Sequence, residues 1–120
     1  MIDQGLLKSL QYARLAVDLA SEKLANDIVL LDVNNVSSFA DYFVIMTAES
    51  TRQMDSLSDD MKTIIEGAGL KLHHREGSPE SGWILLDFGD VIIDLFGPDE
   101  RAFYGLENVW SHAVEVFRIQ

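Results

Sequence analysis

Leu6, Leu10, Ala13, Val17, Ala20 and Leu24 recur at steps of three and four. That spacing lines one side of a helix and predicts an amphipathic helix over residues 3–25. The pattern then shortens. Asp27 to Val33 carries the run Ile-Val-Leu-Leu, is followed by Asn34-Asn35, and reads as a strand. Ser37 to Asp41 reads as a loop or a single helical turn. Tyr42 to Met46 is apolar at every position, as in a central strand buried on both faces. Ser50 and Gln53 have the spacing of a capping box and open a second helix. Met54, Leu57, Met61, Ile64 and Ile65 form its buried stripe, and Gly67 and Gly69 end it. Leu70 to Arg75 alternates as a strand does, and Glu76 to Gly82 is a polar connection.

Trp83 to Phe96 holds two apolar runs around Gly89-Asp90, a pair suited to a two-residue hairpin turn. Alternation along the strands then sorts the side chains. Ile84, Leu86, Phe88, Val91, Ile93 and Leu95 share a wholly apolar face, assigned to the core. Trp83, Leu85, Asp87, Ile92, Asp94 and Phe96 share the other, where apolar anchors mix with two acids. Such a face is expected to be covered, by the chain's own helix or by a partner. Pro98-Asp99-Glu100 suits a first helical turn. A last helical region follows with Phe103, Leu106, Val109, Trp110, Ala113, Val114 and Phe117 as its apolar positions and Gly105 as a break. The order α-β-β-α-β-β-β-α, without repeats or linkers, predicts one α/β (α+β) domain over residues 1–120, a mixed sheet flanked by helices.

Charge refines this picture. The net charge is −11. Residues 1–25 balance three acids against three bases, so the excess lies in the other 17 acids and 6 bases. Such a field disfavours direct contact with nucleic acid or anionic membrane and favours a basic partner. Acidity for solubility alone explains it equally well. The absence of cysteine excludes disulfides and thiol chemistry. Asp3, Lys8, Arg14 and Asp18 interrupt the first twenty residues, which are unlike a signal peptide, and no run approaches membrane-spanning length. A soluble cytoplasmic protein is expected.

Catalytic chemistry finds little support. His73 and His74 are neighbours on an expected strand and point to opposite faces, and His112 lacks a partner at helical spacing. Ser37, Ser38, Ser50 and Thr51 are explained as loop and cap residues. Gly67-Ala-Gly69 lacks a third glycine and precedes a strand, and no Walker-type Gly-Lys-Ser/Thr occurs. No Asp-x-Asp pair exists to aim two carboxylates at one metal ion. Asp87 and Asp94 lie near each other on the hairpin face, where a cation or a partner's basic side chain would relieve their repulsion.

The ordered set Asp41-Tyr42-Phe43-Val44-Ile45, Ser50-Thr51-Arg52-Gln53, Glu76-Gly77, Trp83 to Ile92, and Arg101 to Trp110 resembles the ribosomal silencing factor family, also called Iojap-like. The resemblance covers most of the chain. One departure stands out: Asp94 occupies a position where the family usually has His. The resemblance implies a fold similar to nucleotidyltransferases without their catalytic acids, a non-enzymatic role and no cofactor. It implies binding to the large-subunit ribosomal protein numbered fourteen in the universal naming, blockade of subunit joining, and a link to large-subunit assembly. On this reading Trp83, Leu85, Ile92 and Phe96 are apolar contacts, and Asp87 and Asp94 face Lys or Arg of the partner. Asp41, Arg52, Arg101 and Tyr104 are further contacts or structural pairs. Two other functions fit the same residues: a metal-dependent nucleotidyl- or phosphotransferase, and a homodimeric scaffold whose hairpin face pairs with itself.

Overall fold

A computed structural model describes residues 4–120. Its elements are α1 (Gln4–Glu22), β1 (Asn26–Asp32), β2 (Tyr42–Thr47), α2 (Thr51–Gly67), β3 (His74–Ser78), β4 (Trp83–Asp87), β5 (Val91–Phe96), α3 (Pro98–Tyr104), α4 (Leu106–Val109) and β6 (Val114–Ile119). Residue 3, the expected start of the first helix, lies outside the described residues. The strands form one mixed six-stranded sheet in the order β3-β4-β5-β2-β1-β6. Only β2 and β5 run parallel, at the centre, where both strands are buried at every position. This is the all-apolar signature expected for Tyr42 to Met46.

One face of the sheet packs under α1 and α2. Ile28, Leu30, Val44, Met46, Ile84, Leu86, Phe88, Val91, Ile93 and Leu95 meet Ala13, Val17, Ala20, Met54, Leu57, Met61 and Ile65 there. The hairpin register pairs Trp83 with Phe96 and Asp87 with Ile92, and the Phe88 amide donates to the Val91 carbonyl at 2.9 Å. A two-residue turn at Gly89-Asp90 follows, with Gly89 at φ +85°, a conformation that side chains with a Cβ rarely adopt. Ser50 caps α2 by accepting from the Gln53 amide at 3.0 Å. The Gln53 side chain returns the bond one residue earlier than a standard capping box, to the Glu49 amide at 2.7 Å.

Three expectations are corrected. Leu70 and Leu72 pack beside the core without joining the sheet, and the third strand is His74–Ser78, pairing with β4. Ile64 and Leu24 are exposed, Leu24 because α1 has already ended. The last helical region breaks at Gly105 as expected, where a φ of +53° closes α3. Its far end is no helix: Val114–Ile119 is strand β6, antiparallel to β1. Val-Glu-Val-Phe-Arg-Ile is rich in β-branched and aromatic residues, and the open edge of β1 supplies the ladder hydrogen bonds that a helix would have made internally.

Candidate functional site: an aromatic groove on the second sheet face

The second face is covered by the chain itself, and only in part. Val29, Leu31, Val33, Ala40, Phe43, Ile45, Ile92 and Phe96 form an apolar layer, with Trp83, Leu85, Leu106, Trp110 and Ala113 packed against it. The short helices α3 and α4 bury none of their residues completely, so they cover without sealing. The expectation of six partner contacts on this face needs correction. Ile92 and Phe96 are buried inside the protein, and Asp94 is only 1 % exposed. The covering segment reaches over β5 and stops at β4.

Asp94 stands opposite Leu85 on β4 and beside Ile45 on β2, inside the apolar layer. One carboxyl oxygen accepts from the Trp83 indole N–H at 2.9 Å, and the other has no hydrogen-bond partner among the described residues. Burial lifts its pKa to about 7, with the indole bond pulling weakly the other way. Asp94 therefore offers no free carboxylate to a partner's cation; it pins Trp83. Asp87 is half-exposed and caps the hairpin turn by accepting from the Gly89 amide at 2.7 Å. The two acids do not form the open pair that the strand alternation suggested.

Trp83 is held on three sides. Its ring stacks on Phe96 at 4.9 Å between centroids, and Tyr104 leans on it at 4.7 Å. Phe103 meets Tyr104 edge-on at 5.1 Å and is 82 % exposed. Between the half-buried Trp83 and the outer strand lies an open groove of about 190 Å³, lined by Glu76, Gly77, Ser81, Trp83, Leu85 and Tyr104. Gly77 has φ +85°, and a Cβ there would lie 1.9 Å from the Trp83 carbonyl oxygen, so glycine is what lets β3 close on β4 at this point.

The other expected contacts are dispersed. Arg101 is mostly buried, bonding Glu107 at 2.6 Å and the Thr47 hydroxyl at 2.9 Å and lying 3.4 Å from Asp27. Arg118 completes the group through Asp27 at 2.5 Å, Glu107 at 3.0 Å and Glu115 at 2.9 Å. Burial alone would raise the Glu107 pKa, yet bonds from both guanidiniums outweigh it and hold the carboxyl low. This network fastens the covering segment to β1, β2 and β6, which makes Arg101 a structural residue. Asp41 joins α1 to the loop before β2, accepting from Ser9 at 2.9 Å and Asn34 at 2.7 Å. Arg52 is exposed in the first turn of α2, beside Asp55 and Glu80.

Phe103, Val109, Val114 and Phe117, all apolar positions of the expected last helical region, are exposed, as is Phe39 of the expected loop. Phe39 lies 6.0 Å from Trp110, which packs edge-on to Phe43 at 4.9 Å. The signal for Phe103 was its place next to Tyr104, since adjacent residues on a short helix cannot both face the sheet.

Among the described residues, no group of three or more His, Asp or Glu side chains could hold a metal ion, and no helix is long and apolar enough to cross a membrane. The family model for ribosomal silencing factor during starvation matches residues 7–120. The chain is similar to a protein of Halalkalibacterium halodurans named ribosomal silencing factor RsfS, 34% identical over 103 residues that cover 86% of this chain and 88% of that one. A mouse protein named for mitochondrial assembly of the ribosomal large subunit is 29% identical over 98 residues, covering 79% of this chain and 43% of its own. A crystal structure of a Chromobacterium violaceum protein has the same fold, with a TM-score of 0.81, 26% identity and 85% of each chain covered. With a family match across nearly the whole length and the sheet order in place, the chain belongs to the ribosomal silencing factor family.

Proposed function

We propose that the chain represses translation by binding the large ribosomal subunit through its basic protein numbered fourteen and blocking the joining of the small subunit. Such blockade needs no chemistry. It needs a bulky domain held at a contact the other subunit must use. The observation that carries the reading is the pinned, half-exposed Trp83 beside Leu85, Tyr104 and the exposed Phe103, with Glu76 and Asp87 near the same groove. Rigid aromatics at the centre with acids at the rim suit a basic protein surface. Trp83, Leu85, Tyr104 and Asp87 are the proposed contacts. Ile92, Asp94 and Phe96 support them from beneath, Arg101 and Asp41 fix the elements around them, and Arg52 lies outside the groove.

The test is co-sedimentation with isolated large subunits, paired with a subunit-joining assay. Trp83→Ala is expected to lose roughly ten-fold or more in binding, as for an interface hot spot, and to restore joining. Unchanged binding by a folded variant would place the docking surface elsewhere.

A further inference from the structure

Among the described residues, Asp94 is the one acid that the fold buries almost completely. Its hydrogen bond reaches the wall of the groove, since the donor is the indole N–H of Trp83. The Trp83 ring packs with Phe96 and Tyr104 as a trio, the last two 6.1 Å apart between centroids. Phe96 is fully buried, whereas Trp83 is half-buried and Tyr104 is exposed. The second Asp94 oxygen has no donor. That vacancy costs little when the oxygen is the hydroxyl of a neutral acid and far more when it carries half a negative charge.

The surroundings supply no cation for an ionised Asp94. Its cross-strand neighbours, Leu85 on β4 and Ile45 on β2, are apolar, as are Ile92 and Phe96 on its own strand. Asp87 on β4 is turned to the Gly89 amide. Helix α3 brings Tyr104 and Arg101 to this layer, but the Arg101 guanidinium is held by Glu107 of α4, Thr47 of β2 and Asp27. One strand beyond β4, His74 and Glu76 bond each other at 2.9 Å. A charge on Asp94 can therefore gain solvation only from water. Water's way in is past Trp83 and Tyr104, the trio's members that reach the surface.

We infer that Asp94 is a proton-dependent positioning residue for Trp83: neutral, it holds the ring in the groove wall, and ionised, it draws in water that parts the ring from Tyr104. The consequence for docking rests on the groove being the surface that meets a basic protein. A partner lying over Trp83 closes the path of water to the charge, so docking selects the neutral form, and the partner's cations meet the rim acids instead. Burial puts the change near pH 7. The neutral fraction falls from about nine-tenths at pH 6 to about one-tenth at pH 8. Docking that requires it weakens roughly ten-fold over that span.

Two measurements on the parent and Asp94→Asn test this. In nuclear magnetic resonance of isotope-labelled protein, the Trp83 indole N–H signal, assigned by its loss in Trp83→Phe, should titrate in the parent with a midpoint near pH 7 and exchange faster with solvent above it. In Asp94→Asn the signal should stay in place. Co-sedimentation with isolated large subunits should weaken roughly ten-fold from pH 6 to pH 8 for the parent relative to Asp94→Asn. Effects of pH on the subunit, or on His74, act on both proteins alike. A Trp83 signal indifferent to pH in the parent would overturn the proposal, as would an equal pH dependence of binding in the two proteins. If neither binds large subunits at any pH, the docking surface lies elsewhere, and the indole titration alone decides the role of Asp94. Should Asp94→Asn fail to fold, His74→Gln takes its place: the titration must survive in it, and its loss would overturn the proposal.

Discussion

The two faces of one sheet are packed by different rules. Under α1 and α2 the contact is mainly apolar, and the polar residues those helices bury are Ser9 and Ser58 among the described residues. Under α3 and α4 the layer contains a buried acid, rests on a network of arginines and carboxylates, and leaves aromatic residues in solvent. Long amphipathic helices can bury a continuous stripe, whereas helices of seven and four residues cannot. The first face makes the fold stable. The second gives up some apolar closure and keeps a groove.

The largest contrast should come from single truncations. Phe88→Ala empties a site that is fully buried on the closed face and should cost about 3–5 kcal/mol in urea unfolding. Trp83→Ala should cost less than half of that, since Trp83 is only half-buried, while being the variant that loses large-subunit binding. Equal losses of stability would erase the distinction between the faces. Next comes Arg101→Met, which leaves Glu107, Asp27 and Thr47 with fewer partners. A loss of about 2–4 kcal/mol is expected, with higher protease sensitivity in residues 98–120 than in the hairpin. Uniform protease sensitivity along the chain would show that the network does not fasten that segment.

Asp94→Asn tests the second face through pH. The folded protein keeps a proton on Asp94 up to about pH 7, while the unfolded chain releases it near 3.8. The folded state therefore binds more protons inside that window, and stability falls as pH rises through it. Asn keeps an acceptor for the Trp83 indole and never ionises. The variant should match the parent near pH 4 and exceed it by about 2–4 kcal/mol at pH 8. Parallel stability curves for the two proteins would rule out a buried neutral acid. The smallest effect belongs to Arg52→Ala, expected to change stability by less than about 0.5 kcal/mol, as at an ordinary surface position. Its effect on large-subunit binding should be under about three-fold, read as a change in association rate at low salt.

Much of the closed face was legible in the sequence. The strictly alternating hairpin, the uninterrupted apolar run of β2 and the Ser50 cap each have one local explanation, and tertiary structure had nothing to override. The open face was harder to read. Val109, Trp110, Ala113, Val114 and Phe117 stand at helical spacing by coincidence, and only the free edge of β1, some ninety residues earlier in the chain, makes Val114–Ile119 a strand. The fate of Asp94 depended on the same distant segment. Strand alternation correctly placed Asp94 on the same face as Trp83, but could not show that the cover spans β5 and reaches β4 only at Trp83, through Tyr104.

The pairing of Ile28 with Ile119 also governs when the fold can be completed. As the chain emerges from a ribosome, β1 and β2 can meet early, but the parallel partner of β2 is β5, made some fifty residues later. The outer neighbour of β1 is made some ninety residues after it. A sheet closed by its most distant pairings folds late, because loop closure precedes the contacts that reward it. Until β5 and β6 have emerged, a nascent chain exposes the apolar edges of both β1 and β2, the interval in which chaperones matter most to this protein.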